Sequence, residues 1–379
     1  MALLKVCSQC GKKRLFLFDG ICNKCVEENK ETRMREEKER REAAKAAAED
    51  LYDRLAQLWS STGSRWYSIE FDYIFEAERI LANCDQFETL LHKIPEYEYF
   101  EQVFAARSSI GVSGCYNNDF GTLNVEQVDD KTVKIDFEQL MENINKLRSR
   151  IAICMQNTKD FALTFSQLNR VDIRVDEYAE PCEKTSDSYF ESKNITSRTR
   201  VEKLNPFFAI DVETTGLNPL TDEIISISAV KFLNFEPAEV FTTYVKPRNG
   251  LKPRAQEING ITEDDVKDAP YLEQIAAALS DFLTPDQLAK TKPPIVGHNL
   301  SFDCKFLHAN GIATYCATRN HYDTLELARR QYKYENSYKL DELTKTILHI
   351  ARPNAHNSLS DALAAGLLFK KICEERLGL

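Results

Sequence analysis

Two carboxylates stand two residues apart in Phe207-Phe208-Ala209-Ile210-Asp211-Val212-Glu213-Thr214-Thr215-Gly216. In an extended chain, residues i and i+2 leave the same face, so Asp211 and Glu213 stand side by side while Val212 points away. Two acids on one side of a buried strand repel each other unless a cation or a proton lies between them. A solvated strand end is the plainer reading of this pair taken alone. Further stations downstream carry the same chemistry. Gly297-His298-Asn299-Leu300-Ser301-Phe302-Asp303 opens a helix with Ser301 as its expected N-cap, and Phe302 and Phe306 bury together, placing Asp303 on the adjoining face. His321-Tyr322-Asp323 ends a strand, and Asp323 is expected to be a structural carboxylate rather than a ligand. His356 falls on a loop and Asp361 in the first turn of the next helix. On one continuous helix these two would diverge; a loop followed by a helix lets both reach one site.

Asp211, Glu213, Asp303 and Asp361, converging with His356, make chemical sense if they hold two hard divalent cations. Oxygen ligands suit Mg²⁺ or Mn²⁺, which keep several waters and take a substrate phosphate as a further ligand. Two such ions about 3.5–4 Å apart activate a water on one side and stabilise the leaving oxygen on the other. A histidine titrating near neutrality suits the general base for that water.

A second metal chemistry sits at the N-terminus. Cys7-Ser8-Gln9-Cys10 and Cys22-Asn23-Lys24-Cys25 are two C-x2-C pairs, spaced as in a four-cysteine zinc ribbon, and Gly11 favours the tight turn after the first pair. So short a stretch cannot bury enough core to fold unaided. A structural zinc ion supplies about 10–16 kcal/mol in modules of this kind. Four protein thiolates close the coordination sphere, which leaves no position for catalysis.

The elements that must position these groups divide the 379 residues into five stretches. Residues 1–26 form the zinc module. Residues 27–58, dense in Glu, Lys, Arg and Ala without Gly or Pro, form a charged helical arm whose apolar side begins only at Leu51, Leu55 and Leu58. Residues 59–175 are mainly helical. They include an aromatic-rich pair of helices between Trp66 and Ala106 broken at Pro95, a loop over 107–121, and a small hairpin over Leu123–Ile135 around Asp129-Asp130. From Phe137, residues three and four apart through Leu140, Ile144, Leu147, Ile151, Cys154, Thr158, Phe161, Phe165 and Leu168, all apolar but Thr158, describe a heptad helix of a coiled coil or helical bundle. Residues 176–203 are polar and irregular and are expected to be a linker. Residues 204–379 alternate strands and helices in the manner of a mixed sheet covered by helices.

Composition bounds the function. The chain is 43% hydrophobic and 28% charged with a net charge of −10, so any nucleic-acid contact is expected to be local or carried by metal ions rather than by a broad basic face. Eleven cysteines, no membrane-length apolar run and no signal-peptide core point to a reducing cytoplasm with no membrane partner. No phosphate-binding G-x4-G-K-[ST] loop occurs.

Asp211-Val212-Glu213-Thr214-Thr215-Gly216, Asn299-x-x-Phe302-Asp303 and His356-x4-Asp361 resemble, in order and spacing, the three exonuclease motifs of the DEDDh (DnaQ-like) 3′–5′ exonucleases. That family includes the proofreading exonucleases of bacterial replicative polymerases. Ile258-Asn259-Gly260-Ile261-Thr262 and Asp323-Thr324-Leu325-Glu326-Leu327-Ala328-Arg329 resemble its flanking segments, and the likeness spans about residues 205–376. The resemblance implies a ribonuclease H-like α/β fold and release of nucleoside 5′-monophosphates from a free 3′ end. It implies that Asp211, Glu213 and Asp361 ligate the catalytic ion, with Asp211 bridging to the second. Asp303 would support that second ion directly or through water, and His356 would be the base. It further implies that Thr214 and Gly216 contact the terminal nucleotide, that Leu217 wedges against its base, and that Asn299 and Phe302 line the same pocket.

The expected activity is therefore 3′–5′ exonucleolysis of DNA, single-stranded or frayed. The zinc module and helical region would direct it to a site or partner, and the helical region is open to self-association or protein binding. An RNA-trimming exonuclease is the nearest alternative, because discrimination of the 2′-hydroxyl lies in pocket shape. A nucleic-acid-end-binding adaptor is the other, though mere binding would not require all five groups.

Overall fold

A computed structural model describes residues 5–14, 20–62, 74–107, 109–110, 116–118, 121–123, 125–127, 133–135, 137–181, 183–184, 190–284, 292–312, 320–352 and 356–379. Two compact units divide it near Ser149. Trp66, Phe71 and the Asp129-Asp130 turn lie outside the described residues. None of the described helices is long and apolar enough to cross a membrane.

The N-terminal unit begins with the hairpin β1 (Lys5–Val6) and β2 (Lys13–Arg14), paired antiparallel. Helix α1 (Asn23–Thr62) follows without a break, as expected for a stretch lacking Gly and Pro. Its first half is solvated. Ala48, Leu51, Tyr52 and Leu55 are buried, and Tyr52 lies 6.3 Å from Phe100 and 6.1 Å from Phe104 of α3 (Phe100–Arg107). Helix α2 (Ile74–Leu91) stops before Pro95, which opens one 3₁₀ turn at Ile94–Glu96. The stretch read as a loop after α3 contains three short strands, β3 (Ser109–Ile110), β4 (Tyr116–Asn118) and β5 (Gly121–Leu123), in an antiparallel sheet. The expected hairpin is β6 (Val125–Gln127) paired with β7 (Val133–Ile135).

The heptad stretch is one helix, α4 (Phe137–Gln167), but from Arg150 onward it belongs to the C-terminal unit. Phe161 enters that unit's core, Thr158 Oγ1 accepts from Ala351 N at 3.0 Å, and Asn157 Nδ2 donates to Leu348 O at 2.9 Å. The C-terminal domain thus starts well before residue 204. Residues 168–175, read with the helical region, and the stretch read as a linker are also part of it. Strand β8 (Asn169–Arg170) extends the sheet in parallel, Val171 N donates to Val240 O at 3.0 Å, and Asp176 N to Gln274 O at 2.8 Å. At the opposite edge of the sheet, Lys193 N donates to His321 O at 2.8 Å and Phe190 stacks on the His321 ring. A polar composition reads as solvated linker, yet here Val171 N and Lys193 N are satisfied at the two opposite sheet edges, and Asp176 N by Gln274 O.

The six-stranded sheet has the order β13-β12-β9-β10-β11-β8. Strands β9 (Phe207–Thr214), β10 (Ile224–Leu233) and β11 (Glu236–Tyr244) form an antiparallel meander, and β12 (Ile295–Gly297) and β13 (His321–Asp323) run parallel to β9. Between them lie α5 (Pro253–Asn259), the single turn α6 (Glu263–Val266), α7 (Leu272–Leu283) and α8 (Leu300–Ala309). Helices α9 (Thr324–Gln331), α10 (Leu340–Thr346) and α11 (Ser358–Leu377) complete the domain. This mixed sheet flanked by helices is the ribonuclease H-like architecture expected.

Alternation along β9 sorts its residues between two cores. Phe208, Ile210 and Val212 pack with α7 and α8; Phe207 and Ala209 pack with α11. Asp211 and Glu213 continue the second row, toward α11. Gly366 lets that helix approach closely, because a Cβ there would overlap the Phe232 ring. Gly366→Val is expected to cost about 1–3 kcal/mol by overpacking, read as a lower melting temperature, and to displace the helix that carries Asp361.

Candidate active site

The C-terminal ends of the parallel strands β9, β12 and β13 gather the acids at one end of the sheet, where open α/β sheets place their ligands. Asp211 and Glu213 leave β9 beyond the last pairing with β12, at Ala209–Val296. Asp303, in the first turn of α8, accepts Val212 N at 2.9 Å and so satisfies the β9 amide that the shorter neighbour leaves open. Asp361 comes from the first turn of α11. The start of that helix is pinned from both sides. Ser358 Oγ lies 2.7 Å from Ser226 Oγ and 2.8 Å from Ser228 Oγ, the β10 residues opposite Glu213 and Asp211. Asn357 caps the helix through Ser360 N at 3.1 Å. Ligand oxygens of Asp211, Glu213 and Asp361 consequently lie within 4.8 Å of one another.

Burial and mutual repulsion mark the cluster. Burial, then the charges of Asp303, Asp361 and Glu213, hold the Asp211 carboxyl well above its usual range. Burial followed by the Asp361 and Asp303 charges pushes Glu213 up to about 8. Asp303 also rises to about 8, chiefly from burial, against the Val212 amide that stabilises its charged form. Burial raises Asp361 against the opposing pull of Arg352. Three oxygens this close, each disfavoured as an anion, suit a divalent cation, which would reverse every one of these shifts. Their all-oxygen donor set fits Mg²⁺ or Mn²⁺.

His356 occupies a turn with φ 61°, exposed, and close enough for its charge to lower Asp361. A left-handed φ is uncommon outside glycine, and histidine is among the residues that adopt it most readily. Asn299 also adopts φ 62° and precedes α8, so the expected N-cap Ser301 instead lies inside the helix; asparagine tolerates the left-handed region that the strand-to-helix turn requires. Phe302 packs on Phe306 with ring centroids 4.9 Å apart. Asp323 accepts Asn299 N at 3.0 Å and Leu325 N at 2.9 Å, which caps α9 and orients the Asn299 turn. His298 bridges Thr324 Oγ1 at 3.0 Å and Tyr338 O at 2.9 Å, and burial pushes its pKa down to about 4, a neutral structural imidazole.

The Thr214–Glu223 loop presents Leu217 to solvent at 84% exposure. Its anchor is Asp222, which accepts Asn218 N at 2.8 Å and pairs with Lys252, while Lys184 Nζ donates to the Asp222 carbonyl at 2.6 Å. Gly216 is required because a Cβ would overlap the Asp222 carboxylate. Asp222, Ser358, Asp341 and Arg352 are site residues that motif spacing did not single out. Only Arg352, a lone cation four residues before His356, offered a local hint.

At the N-terminus, Cys7, Cys10, Cys22 and Cys25 bring their sulfurs within 4.8 Å of one another, at the hairpin and the first turn of α1. Gly11 and Gly20 take φ 70° and 80°, the left-handed turns that fold the two pairs together.

Residues 208–369 match a family whose description is "Exonuclease". The DNA polymerase III PolC-type protein of Caldanaerobacter subterraneus is 32% identical over 182 residues, 48% of this chain and 12% of that protein. Its counterpart in Oceanobacillus iheyensis is 35% identical over 170 residues, 44% of this chain and 11% of that protein. The chain therefore spans about an eighth of the length of these curated relatives. Among solved structures, E. coli exonuclease I in complex with a dT13 oligonucleotide aligns over 45% of this chain and 41% of its own, at 23% identity and a TM-score of 0.38. Residues 208–369 are thus similar to an exonuclease domain, and the acids that converge in the structure lie within that match.

Proposed function

We propose that this protein is a divalent-metal-dependent 3′–5′ exonuclease that removes nucleoside 5′-monophosphates from a free 3′ end of DNA. The observation that carries the reading is the convergence of Asp211, Glu213 and Asp361 within 4.8 Å with Asp303 behind them. The PolC-type relatives favour DNA as the polymer. Two Mg²⁺ or Mn²⁺ ions held by Asp211, Glu213 and Asp361, with Asp303 in support, would polarise the scissile phosphate and stabilise the departing 3′ oxygen. His356 accepts the proton of the attacking water; its exposed turn leaves the ring open to solvent. Thr214, Gly216 and Leu217 receive the terminal nucleotide on the loop anchored by Asp222, and Asn299 and Phe302 form the other wall. The four N-terminal cysteines hold one structural Zn²⁺.

The test is a gel assay with 3′- and 5′-labelled single-stranded DNA and matched RNA, in Mg²⁺ or EDTA. Metal-dependent shortening of 5′-labelled DNA from its 3′ end is expected. Preferential trimming of RNA would reassign the substrate, and retention of either label without cleavage would reduce the domain to an end-binding module. His356→Ala is expected to slow single-turnover cleavage by about 10²–10⁴-fold, and near-normal turnover would remove His356 from the role of base.

A further inference from the structure

Arg352 lies beside the carboxylates, with its side chain only 2% exposed. Nη1 donates to Asp361 Oδ1 and lies 3.3 Å from Ser360 Oγ, while Nη2 donates to Asp341 Oδ1 in the first turn of α10. Asp361 is 14% exposed and Asp341 34%. We propose that Arg352 and Asp341 form a positioning pair that fixes the Asp361 carboxylate for a divalent cation, an inference that rests on the metal-dependent reading of the same site.

Stability alone does not account for the pair. Burying a guanidinium is costly, and buried ion pairs seldom repay that cost in full. Here Nε is also buried with no hydrogen-bond partner, a further expense to the fold. What the arrangement does supply is geometry. A guanidinium is planar and rigid, so one N–H fixed on Asp341 directs the other, and one oxygen of Asp361 is held while the rest of the carboxylate faces Asp211 and Glu213. Without that hold, repulsion from Asp211 and Glu213 would turn Asp361 away from them.

Charge gives Asp341 its part. A lone arginine beside the cluster would repel the incoming ion as well as orient its ligand. Asp341 cancels the charge, so the pair anchors Asp361 as a neutral unit and leaves the attraction of the remaining acids for the ion undiminished. Carboxylates that ligate metals are themselves commonly held by outer hydrogen bonds, and losing such a partner weakens metal binding by about 10–100-fold.

The experiment is Mn²⁺ binding to the full chain without nucleic acid, followed by loss of the free-ion electron paramagnetic resonance signal, with Asp361→Asn defining binding at this site. Arg352→Gln and the Arg352→Gln/Asp341→Asn double variant are each expected to weaken binding about 10–100-fold. If the pair acted through charge alone, Arg352→Gln would bind more tightly and the double variant would match the native chain. Either result overturns the proposal. Arg352→Lys keeps the charge and a buried partner but loses the fork, so it serves if the glutamine variants fail to fold. It is expected to bind several-fold more weakly, and native affinity would overturn the assignment. Manganese binding indifferent to Asp361→Asn would do so too. Because no polymer is hydrolysed, failure of the exonuclease reading shows up separately, as native metal binding without cleavage.

Discussion

Asp211→Asn is expected to lose hydrolysis by about 10³-fold or more and, in EDTA, to melt at a higher temperature than the native chain. The loss follows from the proposed metal-ligand chemistry: removing one of the carboxylates that would hold the ions forfeits several kcal/mol of transition-state charge stabilisation, at about 1.4 kcal/mol per tenfold in rate. The gain follows from the same carboxylate's position. Asp211 is flanked by Glu213, Asp303 and Asp361, and its carboxyl is held well above the ordinary range by burial and by their charges. Glu213 and Asp303 are displaced upward to about 8. A carboxyl whose folded-state pKa is raised favours the fold below its unfolded value near 4, and that contribution is lost as pH rises through the folded value. The metal-free native domain should therefore lose melting temperature between about pH 4 and 8, and Asp211→Asn should flatten that fall. Each kcal/mol relieved is worth about 2–4 °C in a domain of this size. Mg²⁺ should raise the native melting temperature and leave the variant nearly unmoved, since on the proposed reading only the native site would bind the ion strongly. A variant less stable than native in EDTA would show that Asp211 is held by favourable contacts, and the site would no longer read as an ion cradle.

Opposite signs for activity and stability follow from building a site out of mutually repelling groups, and that is also why the site was legible. The D-x-E pair sits on a strand whose apolar run ends where the acids begin, and strand periodicity alone puts both on one face. The loop at His356 and the helix that carries Asp361 in its first turn were readable, and the helix does begin at Ser358. Long-range partners were not readable. Ser358 reaches hydroxyls on β10 that are 130 and 132 residues away in sequence, and Arg352 joins carboxylates on two different helices. Residues 168–175, read with the helical region, and 176–203, read as a linker, were missed for a related reason: their composition describes helix or solvated chain, while part of their order comes from amides satisfied at two sheet edges that local pattern does not encode. The short strands between Ser109 and Leu123 carry too few residues for any alternation to register.

Replacing Cys7 and Cys22 together with serine is expected to unfold residues 5–25 while leaving the exonuclease domain's melting transition and its Mg²⁺-dependent cleavage unchanged. The hairpin β1–β2 has two residues in each strand, and the buried residues around it are Cys7, Cys22 and Cys25, with Ile21 packed against them. An isolated hairpin of that length is not stable in water, and among the described residues one aliphatic side chain packs on the cysteines. A bond from the four sulfurs to a common ion would hold the turns at Gly11 and Gly20. Cys22 and Cys25 straddle the start of α1, so losing the ion should also fray that helix from its N-terminus, where the first turn carries no acidic residue to offset the exposed amides. Metal content by atomic absorption should fall from one zinc per chain to none. Limited proteolysis should cut first within residues 5–25. The exonuclease domain has cores of its own, built on both faces of its sheet, so its transition should not move. A coincident loss of that transition would mean that the cysteine module and the acidic site fold as one cooperative unit, and the zinc ion would then be a structural requirement of catalysis rather than of the N-terminal module alone.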